Sequence, residues 1–238
     1  MNAWRGERVE TSGRVRSPRA FDVRARAPLR LGLAGGGTDL SPYCDQFGGA
    51  VLNATIDRFA FAHIMPNTDG QVVFRARDLD VEERHAPGPL ALDQGLVLHR
   101  AVYDHMVQAY LDGEAPALTV STTIDAPAGS GLGSSSALVV ALVEAFRVAL
   151  DLPLGPADVA RLAFEIERRK LGLAGGRQDQ YAAAFGGVNF IEFLADDKVL
   201  VSPLRVPRAY LNEFESSLVI CFTGQSRRSE TIIKEQIQ

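Results

Sequence analysis

Three short stretches of this chain hold residues whose types and spacing suit chemistry on a phosphate. The most specific is Pro127-Ala128-Gly129-Ser130-Gly131-Leu132-Gly133-Ser134-Ser135-Ser136-Ala137. Glycine at every second position from 129 to 133 lets the backbone adopt positive φ and approach a ligand closely. An apolar helix is expected to begin at Ser134, so the loop's N–H groups and the helix N-terminus would together form an anion site. The serine hydroxyls add donors, and one of them can reach a metal. A triphosphate is the guest that fits. Two familiar phosphate loops are excluded. A Walker loop needs Gly-Lys-Ser/Thr, and this stretch has no lysine; the dinucleotide fingerprint needs G-x-G-x-x-G, and here the order is G-x-G-x-G. The helix that follows at once, and Leu132 within, argue against a flexible linker.

The other two stretches carry less information alone. Gly35-Gly36-Gly37-Thr38-Asp39 is either a ligand loop or a tight turn with a Thr-Asp helix cap. In Gly176-Arg177-Gln178-Asp179-Gln180 the aspartate at a helix start suits a cap as well as a base. His63, His85, His99 and His105 share no metal-ligand spacing, and His105 is expected as a packed core histidine. Cys44 and Cys221 fit no zinc pattern, and so few cysteines in 238 residues point to a reducing, cytoplasmic setting.

The elements that must position these stretches follow from pattern. A composition of 46% hydrophobic and 23% charged residues is that of a soluble globular protein. A net charge of −4 gives no basic field for nucleic acid. There is no apolar run of membrane-spanning length. Residues 1–20 are Arg-rich (Arg5, Arg8, Arg14, Arg16, Arg19) and lack a signal peptide's apolar segment, so they read as a flexible extension. Alternation predicts a strand over 23–33, and apolar stretches in 50–64 and at Val72, Val73 and Phe74 predict a set of strands. Helical spacing of Leu98, Ala101, Val102, His105, Met106 and Ala109 predicts a helix over 94–111. Further expectations are a strand at 117–124, helices at 134–150, 156–171 and 179–185, and strands at 188–193 and 217–223. Pro156 suits a first helical position. Strands and helices mix without regular alternation, which indicates an α+β fold.

Taken together, the three stretches resemble the GHMP kinases, named for galactokinase, homoserine kinase, mevalonate kinase and phosphomevalonate kinase. The run Ala27-Pro28-Leu29-Arg30-Leu31-Gly32-Leu33-Ala34-Gly35-Gly36-Gly37-Thr38-Asp39 resembles their first motif, 127–137 the second, and the surroundings of Asp179 the catalytic-aspartate region. Leu-Ala-Gly-Gly-Gly-Thr-Asp-Leu, followed by Phe47-Gly-Gly49 and Asn53, is most similar to the branch that phosphorylates D-glycero-D-manno-heptose 7-phosphate. The resemblance covers 23–238. It implies a domain of the ribosomal protein S5 domain 2-like type at 21–225, with 226–238 opening a ferredoxin-like C-terminal domain that is mostly absent.

The resemblance also implies roles. Pro127, Gly129, Ser130, Gly131, Leu132, Gly133, Ser134, Ser135 and Ser136 would hold ATP. Ser135, with Ser134 as the neighbouring option, and Glu167 would meet Mg²⁺. Asp179 would be the base and Arg30 the residue that stabilises developing charge and keeps it ionised. Gly36, Gly37, Thr38 and Asp39 would bind the sugar. Arg177, Arg227 or Arg228 would meet a phosphate on the substrate. The implied reaction is transfer of the ATP γ-phosphate to the anomeric hydroxyl of the heptose 7-phosphate, giving the 1,7-bisphosphate. Alternatives are a fucokinase-like sugar 1-kinase and a non-catalytic nucleotide- or sugar-binding relative.

Overall fold

The structure, a computed structural model, describes residues 22–127, 129–219 and 221. The expectations for 1–20, 226–238, Arg227 and Arg228 lie outside the described residues. In chain order come β1 (Val23–Ala34), α1 (Tyr43–Phe47), β2 (Gly49–Pro66), β3 (Val72–Ala76), β4 (Val81–His85), α2 (Val97–Tyr110) and β5 (Leu118–Ile124). They are followed by α3 (Ser134–Ala149), α4 (Pro156–Phe164), α5 (Gln178–Phe185), β6 (Val188–Phe193), β7 (Val199–Pro203) and α6 (Arg208–Ser217).

The sheet is organised by β2. Where the sequence suggested separate strands in 50–64, one strand of 18 residues runs through. At about 3.3 Å per residue it spans roughly 60 Å, long enough for two partners end to end on one edge. Gly49–Ala54 pair with β6 and Ala60–Pro66 with β5, while β1 runs antiparallel along the other edge. Beyond β5 lie β3, its parallel partner, and then β4; β7 closes the side beyond β6. The β1–β2 register slips between Pro28 and Arg30. Such a bulge re-aims the side chain that follows it, and here that side chain is Arg30.

One helix sits at the centre. In α3 every residue from Ser136 to Val143 is buried, so the helix is apolar all round, as a helix covered on all sides must be. Its Leu138, Leu142 and Val143 share one core with Leu29 of β1 and Ile64 of β2. Each fully buried side chain of this kind stabilises the fold by about 1.5–3 kcal/mol. A second small core, Cys44, Val51, Ala160, Tyr181, Ile191 and Phe193, pins α1 and α5 to the start of β2.

Three details depart from the pattern reading. The helix expected over 156–171 is α-helical only to Phe164; Glu165–Lys170 continue it as a π-helix. The strand expected over 217–223 is not found in its described part. Ser217 ends α6, and Leu218 and Val219 follow outside regular structure. In α2 the buried face is His99, Val102, Tyr103, Met106 and Val107, so the core histidine is His99 and His105 is only half-buried. Ala101, Val102 and Met106 are buried as expected, while Arg100 is also buried, with Nη2 at 2.9 Å from Glu83. Among the described residues no helix is long and apolar enough to cross a membrane.

Candidate active site

The glycine loop is tied to β1 at one residue. The Arg30 amide donates to the Leu132 carbonyl (3.0 Å), and Arg30 Nη1 donates to the Gly131 carbonyl (2.8 Å). Gly129, Gly131 and Gly133 have φ of 75°, 75° and 73°. A side chain at any of them would strain that conformation. Leu132 turns inward and packs against the main core. The loop is thus anchored at its middle, and Gly129, Gly131, Gly133, Ser134 and Ser135 face a cavity of about 480 Å³.

Opposite the loop stands the first turn of α5, which holds three carboxylates through three consecutive residues. Asp179 lies on the cavity wall and accepts from Arg30 Nε (2.7 Å), with Arg30 Nη2 at 2.6 Å from the same oxygen. Gln178 holds Asp39 twice, by its backbone N–H (2.9 Å) and by Nε2 (3.1 Å). Gln180 Nε2 donates to Glu167 Oε2 (2.6 Å) and to Ser136 Oγ (3.1 Å). The other Glu167 oxygen accepts from Ser135 Oγ at 3.0 Å. β1 through Arg30, the start of α3 through Ser135 and Ser136, and the α5 turn therefore meet around the loop.

Asp39 is almost fully enclosed, at 1% exposure. Burial pushes its carboxyl above the ordinary value; the Gln178 N–H opposes this, and the nearby Asp179 charge adds to it. The approach is so close that a Cβ on Gly176 would stand 1.9 Å from Asp39 Oδ2. Only glycine fits there.

Glu167 is wholly buried, and its two partners, Ser135 and Gln180, are neutral. Among the described residues no Lys, Arg or His nitrogen comes within 4 Å of it, and there is no cluster of three or more His, Cys, Asp or Glu fit to hold a metal. A buried carboxylate beside a hydroxyl, without a protein counter-ion, suits a hard cation whose other ligands are phosphate oxygens and water. The donor set fits Mg²⁺ in that limited sense.

Of the residues expected at the site, Arg30, Gly37, Asp39, Gly129, Gly131, Gly133, Ser134, Ser135 and Asp179 line the cavity. Several others hold it from behind. The Thr38 hydroxyl donates to the Gly35 carbonyl (2.8 Å) and accepts from the Ala50 N–H (3.1 Å), fixing the turn. Ser136 is buried against Gln180, and Gly36, Pro127, Ser130 and Leu132 do not face the cavity. Arg177, expected at the substrate, does not line this cavity. Its guanidinium points away from the cavity, between Asp45 (3.1 Å) and Asp197 (2.8 Å) and over the Phe164 ring. Both carboxylates are met by Nη2, and the buried Nε has no hydrogen-bond partner among the described residues. The reading missed Gln178, Gln180 and Arg168. The two glutamines flank Asp179 in the sequence, and that was the available signal. Arg168 had none, because its direction depends on the π-helical register.

Fold and site together define a class, and comparison with known proteins agrees. Residues 97–187 match the family described as GHMP kinases N terminal domain. The chain therefore carries a GHMP kinase N-terminal domain. It is 42% identical over 211 residues to the D-glycero-alpha-D-manno-heptose 7-phosphate kinase of Campylobacter jejuni, a match covering 88% of this chain and 62% of that protein. A crystal structure from Bacteroides thetaiotaomicron, described as a D-glycero-D-manno-heptose 1-phosphate kinase, superposes with a TM-score of 0.79 at 48% identity, covering 82% of this chain and 64% of the other. A bifunctional fucokinase/GDP-fucose pyrophosphorylase of Arabidopsis thaliana is 27% identical over 237 residues, 94% of this chain but 22% of that protein. The chain thus spans somewhat under two thirds of the heptose kinases it matches. Their two descriptions place the substrate's phosphate at different positions, 7 and 1.

Proposed function

We propose that the protein carrying this domain is an ATP-dependent kinase acting on a sugar phosphate, with D-glycero-D-manno-heptose 7-phosphate as acceptor and the 1,7-bisphosphate as product. The observation that carries this reading is the position of Asp179. Its carboxylate faces the cavity between the anion-binding loop and Asp39 and is held at 2.6–2.7 Å by Arg30.

Phosphoryl transfer asks a protein for positioning and charge stabilisation more than for covalent chemistry. The loop N–H groups and the N-terminus of α3 would hold the ATP phosphates. Ser135 and Glu167 would hold Mg²⁺, which supplies charge neutralisation between the phosphates. Asp39 would accept hydrogen bonds from sugar hydroxyls, and its two bonds from Gln178 keep it in place. Asp179 would take the proton of the attacking hydroxyl as its oxygen bonds to the γ-phosphorus and the bond to ADP breaks. A base so placed contributes about 10²–10⁴-fold. Arg30 holds Asp179 in place before the proton arrives and would face the charge that develops afterwards.

ATP consumption by the full-length protein tests the reading, with heptose 7-phosphate, heptose 1-phosphate, the unphosphorylated heptose and fucose compared as acceptors. The expected order puts heptose 7-phosphate first by at least tenfold in kcat/KM. Preference for fucose would transfer the assignment to a fucokinase-like enzyme. ATP binding without turnover on any sugar would make the protein a nucleotide-binding relative.

A further inference from the structure

We infer that Arg168 is a phosphate-binding residue of this cavity, an arginine the sequence analysis did not put forward beside Arg177, Arg227 and Arg228. The inference rests on the kinase reading for its substrates, but its physical basis lies in the cavity itself. Two arginines line the cavity, Arg30 and Arg168. The charge of Arg30 is answered by Asp179 at 2.6 Å, and outside the cavity Arg177 is answered by Asp45 and Asp197. Among the described residues Arg168 has no carboxylate within 4 Å. Its guanidinium instead meets neutral acceptors at long range: Nε to the Gly176 carbonyl (3.4 Å), Nη1 to the Ala174 carbonyl (3.2 Å) and Nη2 to Ser136 Oγ (3.5 Å). These distances lie at or beyond the long end of good hydrogen bonds. A guanidinium remains charged at every ordinary pH. Half-buried and weakly bonded, it holds a positive charge that no carboxylate among the described residues answers, on a cavity wall it shares with Arg30, Asp39 and Asp179.

The backbone is built to admit it. Residues 165–170 are π-helical, a rare form that recurs at functional sites. One extra residue per turn lets adjacent side chains serve different surroundings. Glu167 turns inward to Gln180 and Ser135, while Arg168 reaches the cavity. Opposite, a Cβ on Gly175 would stand 2.3 Å from Arg168 Cζ, so the glycine makes room for the guanidinium. Phosphate is, with carboxylate, one of the two ligand classes that a guanidinium's forked donors match, and in a cavity walled by the glycine loop's N–H groups phosphate is the one that fits. Its source is either the phosphate carried by the acceptor sugar or the phosphoryl group in transfer.

Two measurements on the full-length protein decide the matter. In the first, inorganic phosphate and tripolyphosphate are titrated calorimetrically into wild type, Arg168→Gln and Arg168→Lys, with thermal unfolding recorded for each. Arg168→Gln should weaken one or both anions by about ten- to a hundredfold, with Arg168→Lys falling between it and wild type. The inference is overturned if both anions bind Arg168→Gln within twofold of wild type. It is equally overturned if unphosphorylated sugar loses affinity in step with the anions, which would mark a clamp on residues 174–176 and not a charge effect. In the second, turnover distinguishes the sources. A KM rise confined to the phosphorylated acceptor assigns the acceptor's phosphate; a fall in kcat with phosphorylated and unphosphorylated sugars alike assigns the phosphoryl group in transfer. Should wild type phosphorylate no sugar, the kinase reading fails by itself, and the titration still judges Arg168.

Discussion

Replacing Gly176 by alanine should displace Asp39 and nothing else of comparable importance. The new Cβ would lie 1.9 Å from Asp39 Oδ2, 2.4 Å from Cγ and 2.9 Å from Oδ1. To reach even a tight contact the carboxylate must retreat by about 1.5 Å. It has no easy direction, being short, 1% exposed and bonded to the Gln178 N–H at 2.9 Å and to Nε2 at 3.1 Å. A shift of that size breaks both bonds. Hydrogen bonds to a charged acceptor are worth about 1.5–3 kcal/mol each, part of which relaxation recovers, so the expected loss is about 2–4 kcal/mol. Catalytically, misplacing a positioning group by about 1 Å costs on the order of 10²-fold. Denaturant unfolding of Gly176→Ala, Asp39→Ala and the double variant measures the coupling. With Asp39 cut back to alanine the clash partner is gone, and Gly176→Ala should then cost under about 1 kcal/mol, the scale of a backbone effect at a compatible site. An equal cost in both backgrounds would refute the account of Gly176 as the seat of Asp39.

Other consequences are open to measurement. His99 is buried, and burial lowers its pKa from 6.5 to about 4, so it stays neutral in the fold but takes up a proton when unfolded. Stability from this residue is complete above its unfolded pKa and is lost as pH falls toward its folded one, by about 3 kcal/mol over the window. His99→Phe should flatten that slope in unfolding free energy against pH, and an unchanged slope would assign it elsewhere. Gln180→Leu removes the 2.6 Å donor to Glu167. It should destabilise the protein by about 2–3 kcal/mol. Adding Glu167→Leu should recover part of the loss, since it removes the buried carboxyl left without its donor; a further drop in melting temperature would contradict the pairing.

How much of this was legible in the sequence depended on whether the signal was local. The loop at 129–133 and α3 were plain, because alternating glycines and an all-apolar helix are periodic features. So were β1, β5 and β6. The strand β7 and α6 were not read: Leu211 and Phe214 recur at helical spacing in α6, although the helix buries none of its residues. The continuity of β2 also escaped, because the two apolar stretches pair with different strands, β6 at one end and β5 at the other. Asp39, Glu167 and Asp179 were singled out by resemblance to a family, the two aspartates alone being compatible with helix caps. The structure adds what spacing does not encode: Gln178 and Gln180 hold two of those carboxylates on either side of the third. Arg177 and Arg168 show the limit most clearly. Nothing in the sequence separates two arginines nine residues apart, and only the π-helical turn and the positions of Asp45 and Asp197 send one to the cavity and the other away.

In the proposed kinase reaction Asp179 accepts the proton of a sugar hydroxyl. The most direct test is the single-turnover rate of Asp179→Asn beside wild type, in the full-length protein saturated with ATP, Mg²⁺ and heptose 7-phosphate. Asparagine keeps the shape and loses the basicity, so the account predicts a fall of at least about 10²-fold in the rate with ATP affinity unchanged. A variant that transfers phosphate at the wild-type rate would contradict it.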